Sequence, residues 1–141
     1  MLSKTKKYNL KQLLTSVVNE QPSIKEIYLF GSRAYSTGSH RSDCDLLVRV
    51  DPTKNTRESW LREFSMMSCP ALDFFVSDGG RAVSCSNDSF VRAATFDELV
   101  VKLDAILLWT RQSGFTEFLF PDTGSWVFET ALNVDFRMTK L

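Results

Sequence analysis

Two rhythms of hydrophobic and polar positions divide the chain. From Asn9 onward Leu10, Leu13, Leu14, Val17 and Val18 recur at helical spacing, with Asn9 placed to cap the first turn, and Gln21, Pro22 and Ser23 break the pattern. Residues 24–30, IKEIYLF, are short, β-branched and aromatic and stop at Gly31, which predicts a buried strand ending in a tight turn. Residues 44–50, CDLLVRV, predict a second strand, ended by Asp51 and Pro52. Asn55 followed by Glu58 has capping-box spacing for a helix carrying Trp60, Leu61, Phe64 and Met67 into the core, and Pro70 closes it before a third strand over 71–76.

The second half is less regular. Residues 77–94 contain SDGG and SCSNDS and read as a long loop with a short strand near 81–85. Thr95 and Glu98 form another capping box, opening a helix that turns Phe96, Leu99, Val100, Leu103, Ile106 and Leu107 inward, with Gly114 just beyond its end. Residues 115–141 are aromatic around a turn-like Pro-Asp-Thr-Gly at 121–124 and read either as a hairpin completing a sheet or as a helix after the turn; covering the core and contacting a partner are equally open to them.

Composition narrows the functional classes. The chain has 141 residues, 43% apolar and 24% charged, which is ordinary for one globular domain spanning 1–141. Seventeen basic and seventeen acidic residues balance, so no global field favours extended nucleic acid. No apolar run approaches the length of a membrane span, and the start, MLSKTKKYNLK, lacks the apolar core of a signal peptide, so a cytoplasmic location is expected. Lys4, Lys6, Lys7 and Lys11 read as a solvated face. Cys44, Cys69 and Cys85 have no paired spacing and read as buried or free thiols. The single histidine, His40, excludes a clustered histidine metal site and is read as a surface residue.

The candidate chemistry lies between the first two strands. Strand alternation puts Asp43 and Asp45 on one face while Cys44, Leu46, Val48 and Val50 form an apolar row on the other. Two like charges held this close repel, and a divalent cation resolves the conflict; magnesium, held by one or two carboxylates plus substrate phosphates, suits the pair. Gly31 allows a sharp turn and close approach of backbone to a ligand. Ser32 adds a hydroxyl donor, a short helix opening at Ser32 would aim free N–H groups at the same anion, and Arg33 adds charge nearby. On the third strand Asp73 sits in an apolar run, where an unpaired carboxylate is costly. A metal shared with Asp43 and Asp45 would supply its partner; the plainer alternative is a strand-edge acid reaching solvent or an arginine such as Arg33 or Arg81.

The stretch GSRAYSTGSHRSDCDL at 31–46 resembles the signature of the polymerase β-like nucleotidyltransferase superfamily, and Asp73 in ALDFFV matches that family's third acid. The resemblance implies an α/β (α+β) fold, a small mixed β-sheet with helices packed against it in a nucleotidyltransferase-like palm core. That core covers about 9–113, leaving 115–141 as an extension without counterpart. It also implies that Gly31 and Ser32 bind the triphosphate of ATP, to which Arg33 adds its charge from beside the turn, and that Asp43, Asp45 and Asp73 hold two Mg2+ ions. Without room for an acceptor-binding domain, the chain is similar to the minimal nucleotidyltransferases that act as antitoxins by moving AMP to a tyrosine of a HEPN-type toxin. Two alternatives stand beside this: an antitoxin acting by binding alone with a vestigial nucleotide site, and a transferase acting on an RNA end or small molecule.

Overall fold

The computed structural model describes residues 4–35 and 43–131. Its elements in chain order are β1 (Thr5–Asn9), α1 (Leu10–Glu20), β2 (Ile24–Phe30), a 3-10 turn (Ser32–Ala34), β3 (Cys44–Val50), α2 (Glu58–Ser68), β4 (Leu72–Ser77), β5 (Arg81–Ser84), β6 (Phe90–Arg92), α3 (Phe96–Leu103), β7 (Ile106–Thr110), β8 (Gly114–Phe115) and β9 (Val127–Ala131). Seven strands form one mixed sheet in the order β6-β5-β4-β3-β2-β7-β8, and β1 and β9 pair separately. Within the large sheet β3 and β4 run parallel, joined through α2, and the other neighbours are antiparallel. This is the mixed sheet with packed helices that the sequence predicts.

Helices divide over the two faces of that sheet. Leu10, Leu14, Val17 and Val18 of α1 and Leu61 of α2 pack with Ile27, Leu29, Leu46, Val48, Leu72 and Phe74, the inward row of the three central strands. On the other face Phe96 and Leu99 of α3 pack with Phe30, Leu47 and Phe75. The α1 start is as expected, with the Asn9 side chain accepting from the Gln12 N–H at 3.1 Å. Thr95 accepts likewise from the Glu98 N–H at 3.1 Å and opens α3.

Several expectations are corrected. Asn55 does not cap α2: the helix begins after Arg57 with no side-chain cap, and the Arg57 N–H is taken instead by Oε1 of Gln21, buried at the end of α1, at 3.0 Å. Met67 is 87% exposed, because Leu61 and Ser65 form the buried stripe of α2 and Met67 falls outside it. The helix from Phe96 stops at Leu103, where Asp104 adopts a left-handed conformation with φ 52°. Ile106 and Leu107 then belong to β7 beside β2. An aspartate tolerates that conformation better than most side chains, and the apolar run after it buries Leu108 and Trp109 as strand residues.

Residues 77–94 are a hairpin extension of the sheet rather than a long loop, since β5 pairs with β4 and β6 with β5. The charged start contains β1, paired with β9 from Thr5↔Ala131 to Asn9↔Val127, while Lys4, Lys6, Lys7 and Lys11 are exposed as expected. Of the two roles open to 115–141, covering the core is the one observed for its described part. Phe120 and Phe128 are each 2% exposed and join the core beneath α1. No described helix is long and apolar enough to cross a membrane. His40 and residues 132–141 lie outside the described residues.

Candidate active site

Strand register brings the three acids together. Parallel pairing sets Asp45 opposite Asp73, and Asp43 lies two residues back on the same face of the chain as Asp45. One carboxylate oxygen from each of Asp43, Asp45 and Asp73 lies within 4.8 Å of the others. Asp43 and Asp45 are partly exposed, whereas Asp73 is buried. They share the sheet face of Phe30, Leu47 and Phe75. Three like charges this close are stable together only with compensating positive charge or donors, and an all-oxygen set of this span fits a hard divalent cation such as magnesium. Asp73 is not a strand-edge acid reaching solvent: β4 is internal and the residue is 4% exposed.

The Gly-Ser turn closes against this cluster. Phe30 pairs with Asp45, and the chain then turns at Gly31 with φ 81°. A Cβ at Gly31 would stand 2.6 Å from the Asp45 Oδ2 atom, so both backbone conformation and close approach require glycine. Ser32–Ala34 form one 3-10 turn, held by Ala34 N–H to Gly31 O at 3.1 Å and Tyr35 N–H to Ser32 O at 3.2 Å. A single turn has little of the dipole expected of an opening helix, so any anion binding falls to local N–H groups and the Ser32 hydroxyl. The Tyr35 hydroxyl donates to the Asp104 carbonyl and ties the turn to the end of α3.

Arg33 is predicted beside the phosphates, and the structure places it next to the turn but inward. Its Nη1 donates to the Glu129 carbonyl at 2.6 Å and its guanidinium lies 5.4 Å from the Phe128 ring centroid, so it joins the turn to β9. Ser84 is a residue of the site that the sequence does not single out. Its hydroxyl donates to Asp73 Oδ1 at 2.6 Å across the β4–β5 hairpin.

Burial raises the thiols of two of the cysteines near this centre. Burial, then the neighbouring Cys69, pushes the Cys44 thiol well up. Burial, with Glu58 and Asp73 nearby, pushes Cys85 to about 12. Both stay neutral thiols at physiological pH.

Residues 12–74 match the sequence profile of the family described as "Polymerase beta, Nucleotidyltransferase", a span that includes Gly31, Ser32, Asp43, Asp45 and Asp73. No curated protein matches the chain. The crystal structure of a candidate nucleotidyltransferase from Sulfolobus solfataricus, solved at 1.40 Å, is similar at 23% identity and a TM-score of 0.49, covering 77% of this chain and 84% of that one. Over residues 12–74, the segment that carries the turn and the three acids, the chain is similar to the polymerase β nucleotidyltransferase family.

Proposed function

We propose that this protein transfers a nucleoside monophosphate, AMP from ATP, to a hydroxyl on a partner protein. The observation that carries the reading is the meeting of Asp43, Asp45 and Asp73, with ligating oxygens within 4.8 Å, beside a turn at Gly31 packed on Asp45. The family supports nucleotidyl transfer. The protein acceptor rests on the likeness of the GSRA stretch at 31–34 to minimal nucleotidyltransferases that modify HEPN-type toxins.

In this reading Asp43, Asp45 and Asp73 would hold two magnesium ions. When bound, magnesium supplies the charge that neutralises the triphosphate and acidifies the acceptor hydroxyl. The chain's own residues do the positioning. Backbone N–H groups of the Gly31 turn and the Ser32 hydroxyl receive the β- and γ-phosphates, and Arg33 adds positive charge from behind the turn. Asp73 takes the acceptor proton as the acceptor oxygen bonds to the α-phosphorus. The bond from that phosphorus to the bridging oxygen of the β-phosphate breaks, and pyrophosphate leaves in line. Phosphoryl chemistry of this kind asks the protein mainly for alignment and charge.

The test is incubation of the protein with each labelled nucleoside triphosphate, Mg2+ and the product of the neighbouring gene, followed by intact mass measurement. A mass increase of one or more adenylyl groups on the partner, lost with Asp43→Asn or Asp45→Asn, is expected. Suppression of the partner by both variants as effectively as by the parent would favour binding alone, and label on RNA or a small molecule would move the acceptor.

A further inference from the structure

We propose that Ser84 is a positioning residue for Asp73, fixing the carboxylate so that its other oxygen is presented to the cation held with Asp43 and Asp45. This rests on the metal-binding reading above and adds to it a residue outside the three acids.

A serine hydroxyl has one proton to give and lone pairs to receive. At Ser84 the lone pairs are occupied from the turn that follows, since the backbone N–H groups of Ser86 and Asn87 donate to Oγ at 3.1 and 3.3 Å. The proton is therefore directed at Asp73 Oδ1, 2.6 Å away. Ser84 is 1% exposed and Asp73 4%, so water does not compete readily for either group. The turn itself is fastened on both sides. Cys85 N–H donates to Phe74 O at 2.8 Å, Ser84 N–H to Ser89 O at 2.8 Å and Asp88 N–H to Ser84 O at 3.1 Å. The hydroxyl thus inherits its direction from the β5–β6 hairpin.

A ligand carboxylate free to rotate spends only part of its time aimed at the ion, and outer partners that hold a ligand in place are worth about 10–100-fold in metal affinity. Ser84 would do this for the one acid of the three that is buried. It also gives the SCSNDS segment a role: its turn N–H groups set the hydroxyl that sets the carboxylate.

The test uses Mn2+ as the probe, counted by the loss of its free-ion electron paramagnetic resonance signal. Parent, Ser84→Ala, Ser84→Thr and Ser84→Val are titrated, and the unfolding midpoint of each is measured in EDTA. The Thr and Val variants have nearly the same shape and differ in the hydroxyl, so they decide the matter even if the Ala variant does not fold. We expect Mn2+ affinity to fall about tenfold or more in the Ala and Val variants and to be kept by Thr. Unchanged Mn2+ affinity in Ser84→Val, with or without a lower midpoint in EDTA, would overturn the positioning role and leave the metal reading intact. Absence of Mn2+ binding by the parent would overturn the metal reading itself, and this role with it.

Discussion

At the scale of single residues, the site depends on contacts that tolerate little substitution. Gly31 has φ 81° and no room for a Cβ, the nearest atom being an Asp45 carboxylate oxygen at 2.6 Å. Gly31→Ala should lower stability by about 1–3 kcal/mol, read from the urea midpoint, and displace Asp45 even where the fold survives. Asp45→Asn, in contrast, should leave the unfolding free energy within about 1 kcal/mol of the parent, since it retains the shape of a partly exposed side chain while removing one of three clustered charges. The Cys85 thiol gives a pH-dependent check. With its pKa raised to about 12 in the fold, against about 8.5 in an unfolded chain, its contribution to stability is complete below pH 8.5 and declines as pH rises toward 12. Alkylation at pH 8 should accordingly be at least about a hundredfold slower at Cys85 in the native protein than in urea, as followed by peptide mass spectrometry.

The three acids are legible at this scale because strand alternation fixes which side chains share a face. Asp43 and Asp45 follow from spacing two within one strand, and Asp73 follows from a lone acid in an apolar run. Ser84 is not legible. Its partnership with Asp73 is made across a hairpin whose second strand the sequence disguises as loop, and nothing in SCSNDS distinguishes the first serine from the others. Arg33 is legible as a cation beside the Gly-Ser turn, but the direction of its guanidinium depends on β9, almost a hundred residues further on.

At the scale of elements, local signals account for α1 and for the three central strands β2, β3 and β4. The cap at Asn9, the apolar runs of β2, β3 and β4 and the Gly31 stop depend on residues adjacent in sequence, and each falls where the pattern puts it. Asn9→Ala should cost about 1 kcal/mol of stability with an unchanged urea m-value, as the loss of a cap at the β1–α1 junction. The elements that escaped the sequence are those made by distant pairing. β1 is lysine-rich and exposed and becomes a strand because β9 lies beside it. β7 continues the helical apolar spacing of α3, and the break at Asp104 depends on a backbone conformation that the residue types permit without requiring. The position of β9 predicts that the C-terminal segment is structural. Phe128 packs on Tyr8 and Phe120 and lies beneath Arg33, so Phe128→Ala should destabilise by about 3–5 kcal/mol. A cost within about 0.5 kcal/mol would show that this strand is dispensable to the fold.

At the scale of the whole molecule, the sheet has two functional sides. One face is closed by α1 and α2 over the central strands, and the opposite face carries both the α3 cluster and the three acids. The parallel pair β3 and β4 is what makes the site possible, because it sets Asp45 and Asp73 level with each other while β2 delivers the Gly31 turn to the other flank of Asp45. The β5–β6 hairpin and the β1–β9 pair lie outside that centre; Ser84 of the first donates to Asp73, and the second accepts from Arg33 of the turn. Seventeen basic and seventeen acidic residues balance, so the chain carries no net field to steer a charged partner.

In the proposed reaction these acids, with the turn beside them, bind a nucleoside triphosphate together with a divalent cation. This binding is tested most directly by calorimetric titration of ATP into the parent protein in Mg2+, into the parent in EDTA, and into Asp45→Asn in Mg2+. Saturable binding is expected in the first case and at least about tenfold weaker binding in the other two. Equal affinity in all three would contradict it.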